Sequence, residues 1–379
     1  QCRPPIPRNN TRFGLYDQLN REWEAQTGHK WEYPRIVRDP RQFNPELGFS
    51  YYDANGTLYA VYEFLESLGM RWFMSGELGE IVPKMTSIEL PKIDRTEKPD
   101  FAVRSYTWYA YGAFPYDDMI WALRIGINSA YEKLGAVGDG SHGLCRIITD
   151  TMIKAHPEYF AIFKGKRETE GDKAGFCYSS PGLVKETVNY VRFLFDKYDA
   201  PAVSIWPNDA MKPCECDGCK GKTASEQVWE FSDRVAREVY KTHPDRKVMG
   251  GAYQVYNSAP DSIEKFSPNL GAIIANSGRV RMMDSKFWSD YEARVRKFQD
   301  KMSPGSVFRS ENNRYHIWGL DKNNLTPSGK PTRGAPISYP AIHTHAIARD
   351  LKFLKELGSI GENGEQGQVN GTWKVMGLE

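Results

Sequence analysis

From residue 99 onward, short apolar runs alternate with longer stretches of helical periodicity. The runs fall at 102–108, 127–131, 175–178, 203–206, 248–253, 272–275, 306–310 and 359–362. Between them, residues 183–197, 225–241, 287–301 and 342–357 carry apolar positions at helical spacing. A parallel strand pair needs a crossover of about a dozen residues or more, and a helix supplies it, so this rhythm predicts βαβ units and a parallel sheet. Eight such units predict a (β/α)8 barrel of the TIM type. A doubly wound open sheet is the alternative; the Gly-rich phosphate fingerprint of its nucleotide-binding versions is missing.

The region before residue 99 has a different texture. Residues 1–47 form a polar N-terminal extension rich in Pro, Arg and Asn, within which 12–26 could be an exposed helix. Residues 48–98 read as a small α/β domain and linker. A strand at 49–52, a turn at Asp53-Ala54-Asn55-Gly56, an amphipathic helix over 57–68 ending at Gly69 and a strand at 71–73 precede proline-punctuated extended chain at 83–98. Residues 99–379 are assigned to the barrel. Its closing helix is either very short or lies beyond this sequence, which ends soon after Thr372-Trp373-Lys374-Val375-Met376.

Composition narrows the function classes. Hydrophobic residues at 40% and charged residues at 26% are ordinary for a folded chain. The 50 basic and 48 acidic residues nearly cancel, which argues against a dedicated nucleic-acid binder. No apolar run approaches the roughly 20 residues of a membrane span. The opening Gln1-Cys2-Arg3-Pro4-Pro5 lacks the apolar core of a signal peptide, so the protein is either cytoplasmic or preceded by a removed leader. Cys2 fits what a lipoprotein anchor leaves behind, and we expect an exported, periplasmic or extracellular protein. Aromatics at 13%, with 10 Trp and 21 Tyr, supply core and also suit a cleft that stacks on sugar rings.

In a barrel of this type, reactive residues come from the C-terminal ends of strands and the loops beyond them. Strand one then offers Trp108, strand four Trp206-Pro207-Asn208-Asp209, and strand five Tyr253. Strand seven offers Glu311 and Arg314-Tyr315-His316, and strand eight Glu362 and Glu365. Cleaving a glycosidic bond takes two carboxyl functions, one protonating the leaving oxygen and one serving the anomeric carbon. Asp209 and Glu365 are the leading catalytic pair, with Glu311 and Glu362 as alternates. Trp108, Trp206, Asn208, Tyr253, Arg314, Tyr315 and His316 are substrate-binding candidates. Taken singly, each carboxylate reads as readily as a solvated loop residue, and Asn208 as a turn cap.

A second cluster, Cys214-Glu215-Cys216-Asp217-Gly218-Cys219, brings three cysteines into six positions. With Cys177 as a fourth ligand it could hold a structural zinc; a disulfide within the group is the equal alternative. No catalytic metal and no cofactor is expected. His343-Thr344-His345 opens a helix, where a spacing of two sends the rings to different faces. His142 falls in a predicted upper loop.

Leu58-Tyr59-Ala60-Val61-Tyr62-Glu63-Phe64-Leu65-Glu66, Gly69-Met70-Arg71-Trp72-Phe73 and Gly76-Glu77-Leu78-Gly79-Glu80-Ile81-Val82-Pro83 resemble the small α/β domain that precedes the barrel in α-glucuronidases and hexosaminidases. With His156-Pro157-Glu158, Phe176-Cys177, Asn208-Asp209, the Cys-x-Cys-x-x-Cys element and Glu365-Gln366-Gly367, the chain is similar to DUF4838 proteins, from which glycoside hydrolase family 163 was drawn. The resemblance implies a retaining endo-β-N-acetylglucosaminidase that uses the acetamido group of its oligosaccharide or polysaccharide substrate, with Asp209 and Glu365 on motif positions. A polysaccharide lyase, using Tyr253, Arg314 and His316, and a non-catalytic glycan-binding barrel are the competing readings.

Overall fold

The computed structural model describes residues 43–44, 49–50, 56–73, 77–90, 92–108, 120–127 other than 122, 142–144, 150–169, 175–198, 202–208, 211–277, 285–312 and 344–366, together with Ala25. It is a mixed α/β protein. The described strands are β1 (Phe43–Asn44), β2 (Phe49–Ser50), β3 (Arg71–Trp72), β4 (Glu80–Ile81), β5 (Val103–Trp108), β6 (Ile162–Phe163), β7 (Lys166–Arg167), β8 (Ala202–Ser204), β9 (Lys247–Ala252), β10 (Leu270–Ser277), β11 (Val307–Asn312) and β12 (Gly361–Gln366). The helices are α1 (Gly56–Ser67), α2 (Asp150–Ala155), α3 (Pro181–Tyr198), α4 (Ala224–Tyr240), α5 (Ser285–Lys301) and α6 (Thr344–Glu356).

Six strands form one sheet in the order β5-β12-β11-β10-β9-β8, every pairing parallel. Helices α4, α5 and α6 connect β8 to β9, β10 to β11 and β11 to β12, whereas β9 passes to β10 through a short 3-10 turn at Gln254–Tyr256 and irregular chain. The helices are built to cover the sheet. In α4, Val228, Phe231, Val235 and Val239 recur at helical spacing and are buried, with Trp229 and Ala236 beside them. Thr223 starts this helix with a reciprocal cap: its side chain accepts from the Glu226 amide while the Glu226 carboxylate accepts from the Thr223 amide. Helix α5 buries Tyr291, Val295 and Phe298 by the same rule.

Strand β9, Lys247-Val248-Met249-Gly250-Gly251-Ala252, is buried from Val248 onward. A Gly-Gly pair usually marks a turn, yet here it lies inside a central strand. Successive strand residues point to opposite faces, and a tryptophan lies against each. A Cβ on Gly250 would come within 2.9 Å of the Trp229 ring on the α4 side, and one on Gly251 within 2.2 Å of the Trp206 ring on the other. Only glycine leaves both rings their places.

Near the chain start, β3 pairs antiparallel with β4, and β1 with β2. Leu58, Tyr59 and Tyr62 of α1 pack around buried Leu123, and the Tyr59 hydroxyl donates to the Ile127 carbonyl at 3.1 Å. The Trp121 indole donates to the Trp72 carbonyl at 3.0 Å, tying β3 to the same segment.

Three expectations change. No closed barrel is present among the described residues; of the run at 127–131 only residue 127 is described. The run at 175–178 does not enter the parallel sheet. It makes an antiparallel bridge, Phe160 to Phe176, because the Cys177 amide donates to the Tyr159 carbonyl and the Ala161 amide to the Gly175 carbonyl. The last strand runs later than its apolar run, through Gly361–Gln366 rather than 359–362. Buried Ser359 instead directs its hydroxyl to the Val307 carbonyl at 2.9 Å.

Candidate functional site

The carboxyl ends of the parallel strands share one edge, and the backbone register sorts the candidate carboxylates along it. One row runs Gly251, Ile273, Phe308, Gly361, Val103 across five strands. Rows alternate between the two faces of a sheet. Gly251 marks the face that carries Trp206, and Gly250 the face that carries Trp229 and α4. Glu365 lies opposite Asn312 and Thr107, in a row of the same parity as Gly251. Glu362 lies opposite Arg309 and Arg104, and Glu311 opposite Gly364; both share the parity of Gly250. The leading candidate on β12 and the two alternates thus occupy rows of opposite parity.

Beyond β8 and β9, the edge carries an aromatic cluster. Trp206 is only 3% exposed, and its indole N–H donates to the Tyr256 hydroxyl at 2.9 Å. The Tyr256 carbonyl in turn accepts from the Trp229 indole at 3.1 Å, so one tyrosine joins the tryptophans of both sheet faces. Half-buried Tyr253 meets Trp206 edge-on, with ring centroids 5.6 Å apart. His142 completes the group at 5.3 Å from Trp206 and 6.1 Å from Tyr253, its Nδ1 bonded to the Pro207 carbonyl. The backbone strains to place these groups: His142 and Gln254, neither a glycine, have φ of 52° and 44°. The Leu144 amide donates to the Trp206 carbonyl at 3.0 Å, and Gly143 lies so close to Ser204 that a Cβ would meet its carbonyl oxygen at 2.0 Å. Asn208 follows, buried, with its carbonyl accepting from the Met211 amide at 3.2 Å.

Of the residues singled out in the sequence, Trp206, Tyr253 and His142 come together here, and Asn208 follows two residues beyond Trp206. Trp206 is a buried wall held by Tyr256 and not an open stacking platform. Trp108 is the last residue of β5, opposite Gln366. Asp209, Arg314, Tyr315, His316 and His343 lie outside the described residues. Tyr256, at the same strand end as Tyr253, is not among the site candidates read from the sequence; it sits in a three-residue 3-10 turn after β9.

The four cysteines also converge. Cys177, Cys214, Cys216 and Cys219 place their sulfur atoms all within 4.8 Å of one another; three are buried and Cys216 is half-buried. Cys177 and Cys216 are 3.5 Å apart, and the Ser179 hydroxyl lies 3.3 and 3.4 Å from the two. Hydrogen bonds from the Cys214 and Cys219 thiols hold Cys177 well below the ordinary thiol range, and the same sharing pushes Cys214 and Cys219 above it. Gln227 of α4 staples the loop: its side-chain oxygen accepts from the Cys214 amide at 2.9 Å, and its nitrogen donates to the Cys214, Cys219 and Lys222 carbonyls. Gly218 is required because a Cβ there would meet the Ser179 hydroxyl at 2.7 Å. Such a donor set suits a soft metal ion and no small-molecule cofactor.

Comparison with known proteins adds a family. The family described as "Domain of unknown function (DUF4838)" matches residues 74–302, more than half of the sequence. No curated protein matches. Among solved structures, the chain is similar to endo-glycoceramidase II from Rhodococcus sp., in complex with a five-membered iminocyclitol, at 14% identity and a TM-score of 0.28. That likeness covers 49% of this chain and 41% of that one. A GH18 chitinase from Pseudoalteromonas aurantia is similar at 13% identity and a TM-score of 0.26, over 52% of this chain and 69% of that one.

Proposed function

We propose, from the premise that this chain belongs to the DUF4838 family, that it is a glycoside hydrolase acting at the carboxyl edge of its parallel sheet. The observation that carries the reading is the register: Glu365 stands in a row of the same parity as Gly251, the glycine that makes room for Trp206, and Trp206 is the ring on which His142 and Tyr253 gather. The six strands are then part of a (β/α)8 barrel. Its first strand, β5, already lies parallel beside its last, β12, as closure of such a barrel requires. The segment before β5 is the small α/β domain that precedes such a barrel.

The substrate is an oligosaccharide or polysaccharide containing β-linked N-acetylglucosamine, and the mechanism is retaining. Glu365 gives its proton to the glycosidic oxygen as the bond to the anomeric carbon breaks. The acetamido oxygen of the substrate attacks that carbon from the opposite side, with Asp209 and Asn208 orienting the amide. Water then opens the cyclic intermediate and returns a proton to Glu365. Such a protein works outside the cytoplasm, in the periplasm or beyond the cell.

The test is sugar release from a panel of N-glycoproteins and plant or algal polysaccharides by the wild type, Glu365→Gln and Asp209→Asn. Loss of general acid–base catalysis should slow release about 100- to 10,000-fold in Glu365→Gln, with the unfolding midpoint unchanged. Release that survives both substitutions removes these residues from the chemistry. Products with an unsaturated, ultraviolet-absorbing end would instead identify a lyase, and sugar binding without turnover a non-catalytic barrel.

A further inference from the structure

The cysteine cluster has no part in the proposed chemistry. We propose that Cys177, Cys214, Cys216 and Cys219 together bind one Zn2+ as a closed, structural tetrathiolate site. The inference stands whether or not the glycosidase reading does.

The spacing of the sulfurs fits one ion. A tetrahedral Zn2+ with bonds of about 2.3 Å holds its four sulfurs about 3.8 Å from one another. The four sulfurs here all lie within 4.8 Å of each other, and Cys177 is 3.5 Å from Cys216. Two disulfides would draw the same atoms into pairs about 2 Å apart and separate the pairs. Gathering four sulfurs around one centre is what a shared ion requires.

The surroundings fit as well. A thiolate ligand is tuned by hydrogen bonds from its neighbours. The Ile162 amide donates to the Cys214 sulfur at 3.4 Å, and the Ser179 hydroxyl lies within hydrogen-bonding reach of both Cys177 and Cys216. No carboxylate or histidine joins the group among the described residues, so the donor set is all sulfur, the choice that favours zinc over harder ions. Four protein ligands leave no position for water, which makes the ion structural and not catalytic.

The ion would also have something to hold. The ligands come from two stretches of chain that pairing alone links weakly. Cys177 follows the single bridge between Phe160 and Phe176, and the other three lie in the loop between β8 and α4. That loop leaves β8 after Ser204 and carries Trp206-Pro207-Asn208. The β6–β7 hairpin packs on it through the Glu215 amide, which donates to the Ile162 carbonyl at 2.8 Å, and the Lys164 amide, which donates to the Glu215 carboxylate at 2.7 Å. A zinc ion would fasten this loop to the segment entering α3.

The experiment uses the full chain, purified without chelator. Elemental analysis should find one zinc per chain, retained through gel filtration. After denaturation with a chelator, all six cysteines should react as free thiols. Exchange with Co2+ should produce the thiolate-to-metal absorption of a tetrahedral sulfur site. Cys216→Ser, at the half-buried member, should lose zinc to a competing chelator at least tenfold faster than the wild type. If that variant fails to fold, the zinc content and thiol count of the wild type decide the matter alone. Absence of zinc with two or four thiols missing would overturn the proposal in favour of disulfides. Iron in place of zinc, or zinc retained at the wild-type rate by a folded Cys216→Ser, would overturn it as well.

Discussion

Strand β9 is Lys247-Val248-Met249-Gly250-Gly251-Ala252, and strand β12 is Gly361-Glu362-Asn363-Gly364-Glu365-Gln366. Both lie inside the same parallel sheet with a hydrogen-bonded neighbour on either side. The first is buried from its second residue onward and has a tryptophan seated on each face. The second contains no apolar side chain larger than hydrogen and owes its place to the ladders it makes with β11 and β5. A backbone hydrogen bond adds only about 0.5–1.5 kcal/mol net, whereas burying one large apolar side chain adds about 1.5–3 kcal/mol. A strand that forgoes apolar burial while sitting in the middle of a sheet is not arranged for stability. Local preference and global structure conflict at such a place, which is where functional residues are expected. The two strands mark a half of the molecule that holds the fold and a half that carries the candidate chemistry.

Substitutions in the first half should cost stability in proportion to what they unseat. Trp229 is fully buried, 4.7 Å from the Phe298 ring and 5.6 Å from that of Phe266. Trp229→Ala should lower the unfolding free energy by about 3–5 kcal/mol in equilibrium denaturation. A loss below about 1 kcal/mol would mean that α4 is not anchored through Gly250. Gly251→Ala comes next. Its methyl would collide with Trp206, and overpacking of this kind costs about 1–3 kcal/mol. The same substitution should blunt sugar binding, because the aromatic edge must shift to admit it; unchanged binding would uncouple that edge from the core.

Thr223→Ala removes the α4 cap and should cost about 1 kcal/mol. This loss has a pH signature. The Thr223 amide, and then its hydroxyl, hold the Glu226 carboxyl below its ordinary range. A depressed carboxyl stabilises the fold above its unfolded value and stops doing so as pH falls through the folded one. The difference between wild type and Thr223→Ala should therefore be largest near neutrality and shrink in acid; a difference that grows toward acid would contradict the capping box. In β12, by contrast, Glu365→Gln should shift stability by no more than about 0.5 kcal/mol, the ordinary range for a site without packing or capping duties. A large shift there would erase the division between the two halves.

The apolar half is the legible one. The helices expected at 183–197, 225–241, 287–301 and 342–357 correspond to Pro181–Tyr198, Ala224–Tyr240, Ser285–Lys301 and Thr344–Glu356, because their buried stripes are written at helical spacing. Strands β8 through β11 announce themselves as short apolar runs between them. Strand β12 begins beyond its expected start because nothing in Gly361-Glu362-Asn363-Gly364-Glu365-Gln366 distinguishes a strand from a polar turn. The run at 175–178 departs in the opposite sense. It has a strand's composition, but pairing with residues 159–161 takes it out of the parallel sheet, and apolar content does not name a partner.

What the sequence by itself determined is the class of the protein and its chemical inventory: alternating strands and helices, a cysteine-rich loop after Asn208, and carboxylates at strand ends. These follow from periodicity and spacing, which are properties of neighbouring residues. Tertiary structure alone decided that β5 lies beside β12 and that Gly250 and Gly251 each make room for a different tryptophan, whereas Cys177 was already legible as the fourth partner of the cysteine loop. The tertiary structure alone set Glu365 in a register row of one parity and Glu311 and Glu362 in rows of the other. Register is fixed by hydrogen bonds between strands far apart in the chain, and a shift of one residue exchanges the faces, so no local pattern can encode it.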